Sequence, residues 1–229
     1  MVVKVPWKLI IFVLLLTVLT YCSYVYYEKY MRVIPDELLN KSLATTLASS
    51  SFRYVIDSRI VVDNNERILS QITGEKINTG DFHITGKMTE QEIEAYQIKD
   101  TTYIRDPVTT KWMVISGNNL LDQELFMTEI NPLAMFNFES VGELQYLGKE
   151  KLDTGKVYVL QCKPVVKNKF LERFWQEYSY KLWIGRKDCR LNMAEIKATS
   201  KADPQDKLVL TLKIKNYGQK IEFQPPITN

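Results

Sequence analysis

This chain of 229 residues has one histidine, three cysteines and nine glycines, and each scarcity removes a class of chemistry. His83 stands alone and no Cys-x-x-Cys occurs, so the spacing of a metal site is missing. The few glycines form no phosphate-cradling loop, and with so few of them the backbone has little room to approach a nucleotide. Ser49-Ser50-Ser51 is not set in a Gly-x-Ser-x-Gly elbow. Charge of one sign is also lacking. The net charge is +3, and residues 1–30 hold Lys4, Lys8 and Lys29 against Glu28, which leaves the rest at +1. A near-neutral chain has no electrostatic footprint for nucleic acid, and no polybasic run is present for anionic lipid heads. Glu90, Glu92 and Glu94 share one face of a predicted strand, and His83 lies on the polar face of its own. A charged outer face and a solvated or hydrogen-bonded histidine account for them without catalysis. The expectation is a protein that is not an enzyme, with no cofactor and no nucleic-acid partner.

What the chain does have is apolar length at one end. Leu9–Tyr27 runs nineteen residues without a charge. As a helix at about 1.5 Å per residue it covers about 28 Å, close to the roughly 30 Å hydrocarbon core of a bilayer. Trp7 and Lys8 at one end, and Tyr21, Tyr24, Tyr26, Tyr27 and Tyr30 at the other, are interface-type residues. A basic start at Lys4 and Lys8 also fits a signal peptide, but no small-residue cleavage site follows. Cys22 suggests lipidation after cleavage; the bulky Tyr21 before it argues for a retained anchor, with Cys22 a small apolar residue in the helix. Flanking positive charge is nearly balanced. The early position and the long polar remainder favour an inside N terminus, a single pass through the cell membrane, and a C-terminal domain on the extracytoplasmic side. The expected organisation is a cytoplasmic segment 1–8, a transmembrane signal anchor 9–27, a stalk 28–42 with Pro35 barring a continuous helix, and an ectodomain 43–229.

Past the stalk, Leu39, Leu43 and Leu47 predict a helix over Leu38–Ser50. The period then changes to two. Phe52, Tyr54, Ile56, Ile60 and Val62 alternate with Arg53, Asp57, Arg59 and Asp63, as in a half-buried strand. Further strands are predicted at Arg67–Thr73, Asp81–Lys87, Gln91–Ile98, Thr101–Arg105, Trp112–Ile115, Glu143–Gly148, Lys156–Cys162, Ser179–Ile184, Leu191–Ser200, Lys207–Tyr217 and Lys220–Phe223. Helices are predicted at Leu120–Thr128, at Leu133–Phe138 after the Asn131-Pro132 cap, and at Lys167–Tyr178. Cys162 and Cys189 fall at a strand end and in a turn. An exported domain can pair them only if their Cα atoms come within about 7 Å, so the disulfide stays open. A long antiparallel meander with few helices predicts an α+β fold: a half-open antiparallel β-barrel with helices covering the concave face, preceded by one N-terminal transmembrane helix.

Three stretches carry a resemblance when taken in order. They are Tyr96–Trp112, with Tyr103, Asp106 and Pro107; Leu147–Leu160, with Gly148, Gly155 and Tyr158, followed by Leu182-Trp183-Ile184; and Tyr217–Pro226, with Gly218, Ile221, Phe223 and Pro225. Together they resemble the lipoprotein-carrier superfamily of LolA-like and LppX/LprG-like envelope proteins, over most of residues 43–226. The resemblance implies an incomplete antiparallel barrel with helices in its mouth, a cavity for lipids or lipoprotein acyl chains, and no catalytic motif. Some relatives are envelope-stress sensors, so an envelope protein partner is the alternative to a lipid or acyl-chain ligand. A carrier should leave the membrane, whereas this chain reads as tethered.

The candidate lipid-binding surface is the apolar face of the Lys167–Tyr178 helix, Phe170, Leu171, Phe174, Trp175 and Tyr178, with Leu121, Leu125 and Phe126 from the predicted Leu120–Thr128 helix. The same side chains would serve equally as a plug that fills the half-barrel.

Overall fold

The computed structural model describes residues 7–26, 32–63, 65–77, 80–117, 132–167, 169–224 and 226. The chain divides into two compact units between Ile34 and Pro35. The first contains helix α1, Trp7–Tyr26, which is long and apolar enough to cross a membrane by length and composition. The hydroxyls of its two threonines are satisfied within the helix. Thr17 Oγ1 donates to the Leu14 carbonyl at 2.8 Å, and Thr20 Oγ1 to those of Leu16 and Thr17 at 3.0 and 2.9 Å. Such back-bonding removes these polar groups from the helix surface.

The second unit opens with α2, Pro35–Leu47. Pro35 takes the first helical position, where no amide bond is lost, and Asp36 and Glu37 sit at the positive end of the helix dipole. Pro35 therefore begins an ordered helix inside the expected 28–42 stalk, and Leu38, Leu39, Ser42 and Thr46 are buried. Eleven strands follow: β1 Phe52–Val62, β2 Asn65–Lys76, β3 Phe82–Met88, β4 Gln91–Ile98, β5 Thr101–Arg105, β6 Trp112–Ser116, β7 Phe138–Leu152, β8 Gly155–Val166, β9 Trp175–Gly185, β10 Leu191–Ser200 and β11 Lys207–Lys215. They form one antiparallel sheet in the order β6-β5-β4-β3-β2-β1-β11-β10-β9-β8-β7. Chain neighbours pair throughout except that β1 pairs β11, and β6 and β7 are the two edges.

The register places one continuous apolar row across the inner face. Leu160, Leu182, Ala194, Leu212, Ile56 and Ile72 are successive cross-strand partners, and all are fully buried. The next row runs through Cys162, Tyr180, Ile196, Leu210 and Ser58. Among the described residues, α2 and the short turn Pro132–Phe136 bury side chains against the sheet, and a sheet this wide is expected to twist strongly. Thr46 Oγ1 accepts from the Leu191 amide at 2.9 Å, tying α2 to β10. The turn Pro132–Phe136, a 3-10 helix, buries Leu133, Met135 and Phe136. Glycine matters where strands crowd: at Gly74 a Cβ would lie 2.1 Å from the Tyr54 ring.

Several expectations change. The helix expected over Leu133–Phe138 is the 3-10 turn, and Phe138 already belongs to β7. β7 is fifteen residues long, far beyond Glu143–Gly148, because its side chains are mostly exposed and carry no apolar alternation; pairing with β8 holds it. Lys220–Phe223 makes no strand: Gly218 N donates to the Ser51 carbonyl at 2.9 Å and Ser51 Oγ to the Gln219 carbonyl at 2.6 Å. The Lys167–Tyr178 helix shrinks to α3, Lys169–Phe174. Six residues barely exceed a nucleus, and from Trp175 onward the chain gains ladder bonds with β10. Leu120–Thr128 lies outside the described residues. Cys162 and Cys189 are separate thiols; burial pushes the Cys162 thiol up to about 11.

Candidate ligand-binding face

The inner rows end where β8 and β9 meet α3. On β8 the inner side continues through Pro164 and Val166, and on β9 through Tyr180 to Tyr178, all four buried. A groove of about 650 Å³ opens there, lined by Lys163, Pro164, Val165, Val166, Glu172, Glu177 and Tyr178. Its floor is apolar and its rim carries one cation and two carboxylates. Glu177 has a positive φ of 54°, and the β9–β10 register slips beside it, between Lys197 and Thr199. That irregularity interrupts the ladder at the groove and turns successive side chains out of simple alternation.

Tyr178 is only 7% exposed, and its hydroxyl is buried with no hydrogen-bond partner among the described residues. Burial, then the nearby Glu172 charge, pushes its ionisation well above the usual tyrosine range. The group is therefore a neutral, desolvated donor, and an orphan of this kind costs about 1–3 kcal/mol until something pairs with it. Phe174 is 46% exposed, with the Arg173 guanidinium carbon 5.5 Å from its ring centroid. α3 is fixed to β10 by the Lys201 amide, which donates to the Phe174 carbonyl at 2.9 Å, and by Lys201 Nζ on the Glu172 carbonyl.

Of the sequence candidates, Phe174, Trp175 and Tyr178 thus come to one end of the sheet. Phe174 is far from fully buried, Trp175 opens β9 half-buried, and Tyr178 is the buried member. Phe170 and Leu171 lie in α3, with side chains outside the described set; Leu121, Leu125 and Phe126 lie outside the described residues altogether. Sequence reasoning missed Tyr180, which is fully buried. Its hydroxyl donates to the Met135 carbonyl at 3.0 Å, and its ring meets Phe138 edge-on at 5.1 Å and Phe136 at 5.9 Å. The alternation Tyr178, Tyr180, Leu182, Ile184 was the available signal, obscured by helical spacing on its N-terminal side.

The outer face differs from expectation at His83. The imidazole is stacked on Tyr96 with centroids 4.1 Å apart, and Phe223 lies 5.8 Å away. Nε2 is 3.6 Å from Glu94 Oε1, too far for a hydrogen bond, and has no other partner among the described residues. Glu94 is engaged by Arg105 at 2.9 Å and Glu75 by Arg53 at 2.5 Å. Glu90 sits in the turn before β4 with a φ of 68°, so the supposed row of three carboxylates does not form. Burial lowers the His83 pKa below 6.5, opposed by Glu94 and Glu75. The unfolded chain therefore takes up the proton first. This contribution to stability is full above about pH 6.5 and is lost as the pH falls below it. Urea midpoints should fall from pH 7 to pH 5, and His83→Gln should flatten part of that slope. An unchanged slope would rule the histidine out as its source.

Among the described residues, no group of three or more His, Cys, Asp or Glu side chains is placed to hold a metal. No family model and no curated protein matches the sequence. Solved structures do. The Mycobacterium tuberculosis lipoprotein LppX matches with a TM-score of 0.56 at 14% identity, covering 82% of this chain and 99% of that one. LprF from Mycobacterium bovis matches with a TM-score of 0.53 at 12% identity, covering 84% and 96%. The chain thus shares the fold of LppX and LprF, here a large open antiparallel sheet of eleven strands with few helices.

Proposed function

We propose that this is a membrane-anchored cell-envelope protein whose half-barrel domain binds a lipid or acyl chain at its open end. The carrying observation is the groove beside Tyr178: an apolar floor continuous with the inner rows, a buried unpartnered hydroxyl, and an exposed Phe174 at α3 beside it. An acyl chain fits the floor, and an ester carbonyl at its head would accept the Tyr178 hydrogen bond. Each buried methylene contributes about 0.8 kcal/mol, so a twelve-carbon chain gains on the order of 10 kcal/mol relative to water. It gains little relative to a bilayer, so such a domain holds and presents lipid at the membrane. α1 fits the role of an uncleaved signal anchor with the C-terminal domain on the extracytoplasmic side.

A second reading, an envelope sensor or scaffold that contacts protein without lipid, draws on the packing of the Pro132–Phe136 turn against Tyr180, which fills part of the inner face. Native mass spectrometry of residues 35–229, together with titration of a fluorescent fatty-acyl probe, separates the two. The lipid reading expects co-purified lipid and saturable binding, weakened in Phe174→Ala/Trp175→Ala. Because Phe174 is exposed and Trp175 half-buried, that variant should lose no more than about 2 kcal/mol of stability. A parent that binds no probe and carries no lipid leaves the sensor or scaffold. The anchor is tested separately by N-terminal sequencing of membrane-extracted protein. A mature chain beginning at or beyond Cys22 would refute retention.

A further inference from the structure

At the other end of the same strands lies a feature of different chemistry. β8 residues 156, 158 and 160 alternate onto one face of the sheet, and Leu160 is in the inner row. Lys149 is the partner of Tyr158, Lys151 the partner of Lys156, and the Arg186 amide donates to the Lys156 carbonyl at 3.1 Å. The Arg186 guanidinium carbon stands 5.2 Å from the Tyr158 ring centroid, which fixes it on that face too. Lys149, Lys151, Lys156 and Arg186 therefore form one block over β7, β8 and the end of β9. Like charges directly opposite on a sheet repel and destabilise the pair. Yet none of Lys149, Lys151, Lys156 or Lys187 is in an ion pair among the described residues. The nearby Glu150 points to the opposite face, where it accepts from Trp183 Nε1 at 2.7 Å and pairs with Lys181. A groove of about 720 Å³ opens beside the block, lined by Lys156, Tyr158, Arg186, Lys187 and Asn192, with Asp188 its one carboxylate.

We propose that this groove binds a phosphate-bearing anion, either the headgroup of an anionic lipid or a soluble phosphate ester. A phosphoryl group carries the negative charge and the several acceptor oxygens that would relieve the repulsion between facing lysines. The guanidinium, laid against Tyr158, keeps its donor edge free for a bidentate contact. The volume exceeds that of a lone ion and admits the group esterified to the phosphate. The site rests on the charge block alone and is independent of the acyl-chain reading at the Tyr178 end.

The test uses the full chain in non-ionic detergent micelles at low ionic strength. Isothermal titration calorimetry follows binding of glycerol 3-phosphate, dihexanoyl phosphatidylglycerol and dihexanoyl phosphatidylcholine. Saturable binding of either anionic compound, and not of the zwitterion, is the expected result. Comparable affinity for glycerol phosphate and the phosphatidylglycerol assigns a soluble phosphate ester; binding of the lipid alone assigns a headgroup. Lys156→Gln/Arg186→Gln should weaken the binding by at least about tenfold, Lys156→Arg should retain it, and the distant Lys197→Gln/Lys220→Gln should leave it within about twofold. The proposal is overturned if the parent binds neither anion, if the zwitterion binds as well, or if Lys156→Gln/Arg186→Gln binds as tightly as the parent. Thermal unfolding of each variant confirms that an altered affinity is not lost folding. Acyl-probe binding that survives in Lys156→Gln/Arg186→Gln keeps this outcome distinct from that of the Tyr178 groove.

Discussion

Gly86→Ala should destabilise the domain by about 3 kcal/mol or more, a loss read directly from the urea midpoint. Gly86 has a φ of +151°, a region closed to side-chain-bearing residues. A Cβ built there would lie 2.0 Å from the Gln71 carbonyl oxygen and 3.0 Å from Ile72 Cα, both backbone atoms of the neighbouring strand. No rotamer change relieves such a clash, so β2 and β3 must separate where Gly86 faces Ile72. Gly80→Ala provides the comparison: its φ is +82°, but nothing lies within 4 Å of the added Cβ. It should cost only the conformational strain, about 1 kcal/mol. Equal losses at the two positions would show that the close approach at Gly86 is not what demands glycine there.

Tyr180→Ala should cost about 3–5 kcal/mol, since it empties a fully buried ring site between Phe136 and Phe138. Tyr180→Phe keeps the ring and removes only the bond to the Met135 carbonyl, so about 1–3 kcal/mol is expected. The comparison also reads function. The hydroxyl pins the Pro132–Phe136 turn onto the inner face, and releasing the turn without emptying the core should alter acyl-probe affinity in Tyr180→Phe. Probe binding and stability that both match the parent would mean that the turn is held by its apolar packing alone.

The strands were legible wherever one face is buried and the other wet. Phe52–Val62 and Lys207–Lys215 alternate because each buries one side of the sheet, and their period of two survives in the residues. β7 was legible only in part, because an edge strand with mostly exposed side chains is specified by its partner's hydrogen bonds. Around Lys167–Tyr178 the apolar spacing satisfied a helix as well as a strand, and the backbone of β10 decided between them. His83 read as solvated or hydrogen-bonded because Phe223, 140 positions along the chain, gives no local sign that it will pack beside the imidazole.

The sequence by itself determined the apolar N-terminal span and the antiparallel meander, since each depends on residue type at short range. Tertiary structure alone decided which polar groups lost their water and which charges met. Tyr178 is one hydroxyl among thirteen tyrosines until the fold buries it with no partner among the described residues. Lys149, Lys151, Lys156 and Arg186 make no basic run in a chain of net charge +3, and become a concentrated patch only when register sets them side by side. The reason is physical in both cases. Desolvation and Coulomb repulsion depend on distance through space, and a sheet brings together residues that the chain keeps apart.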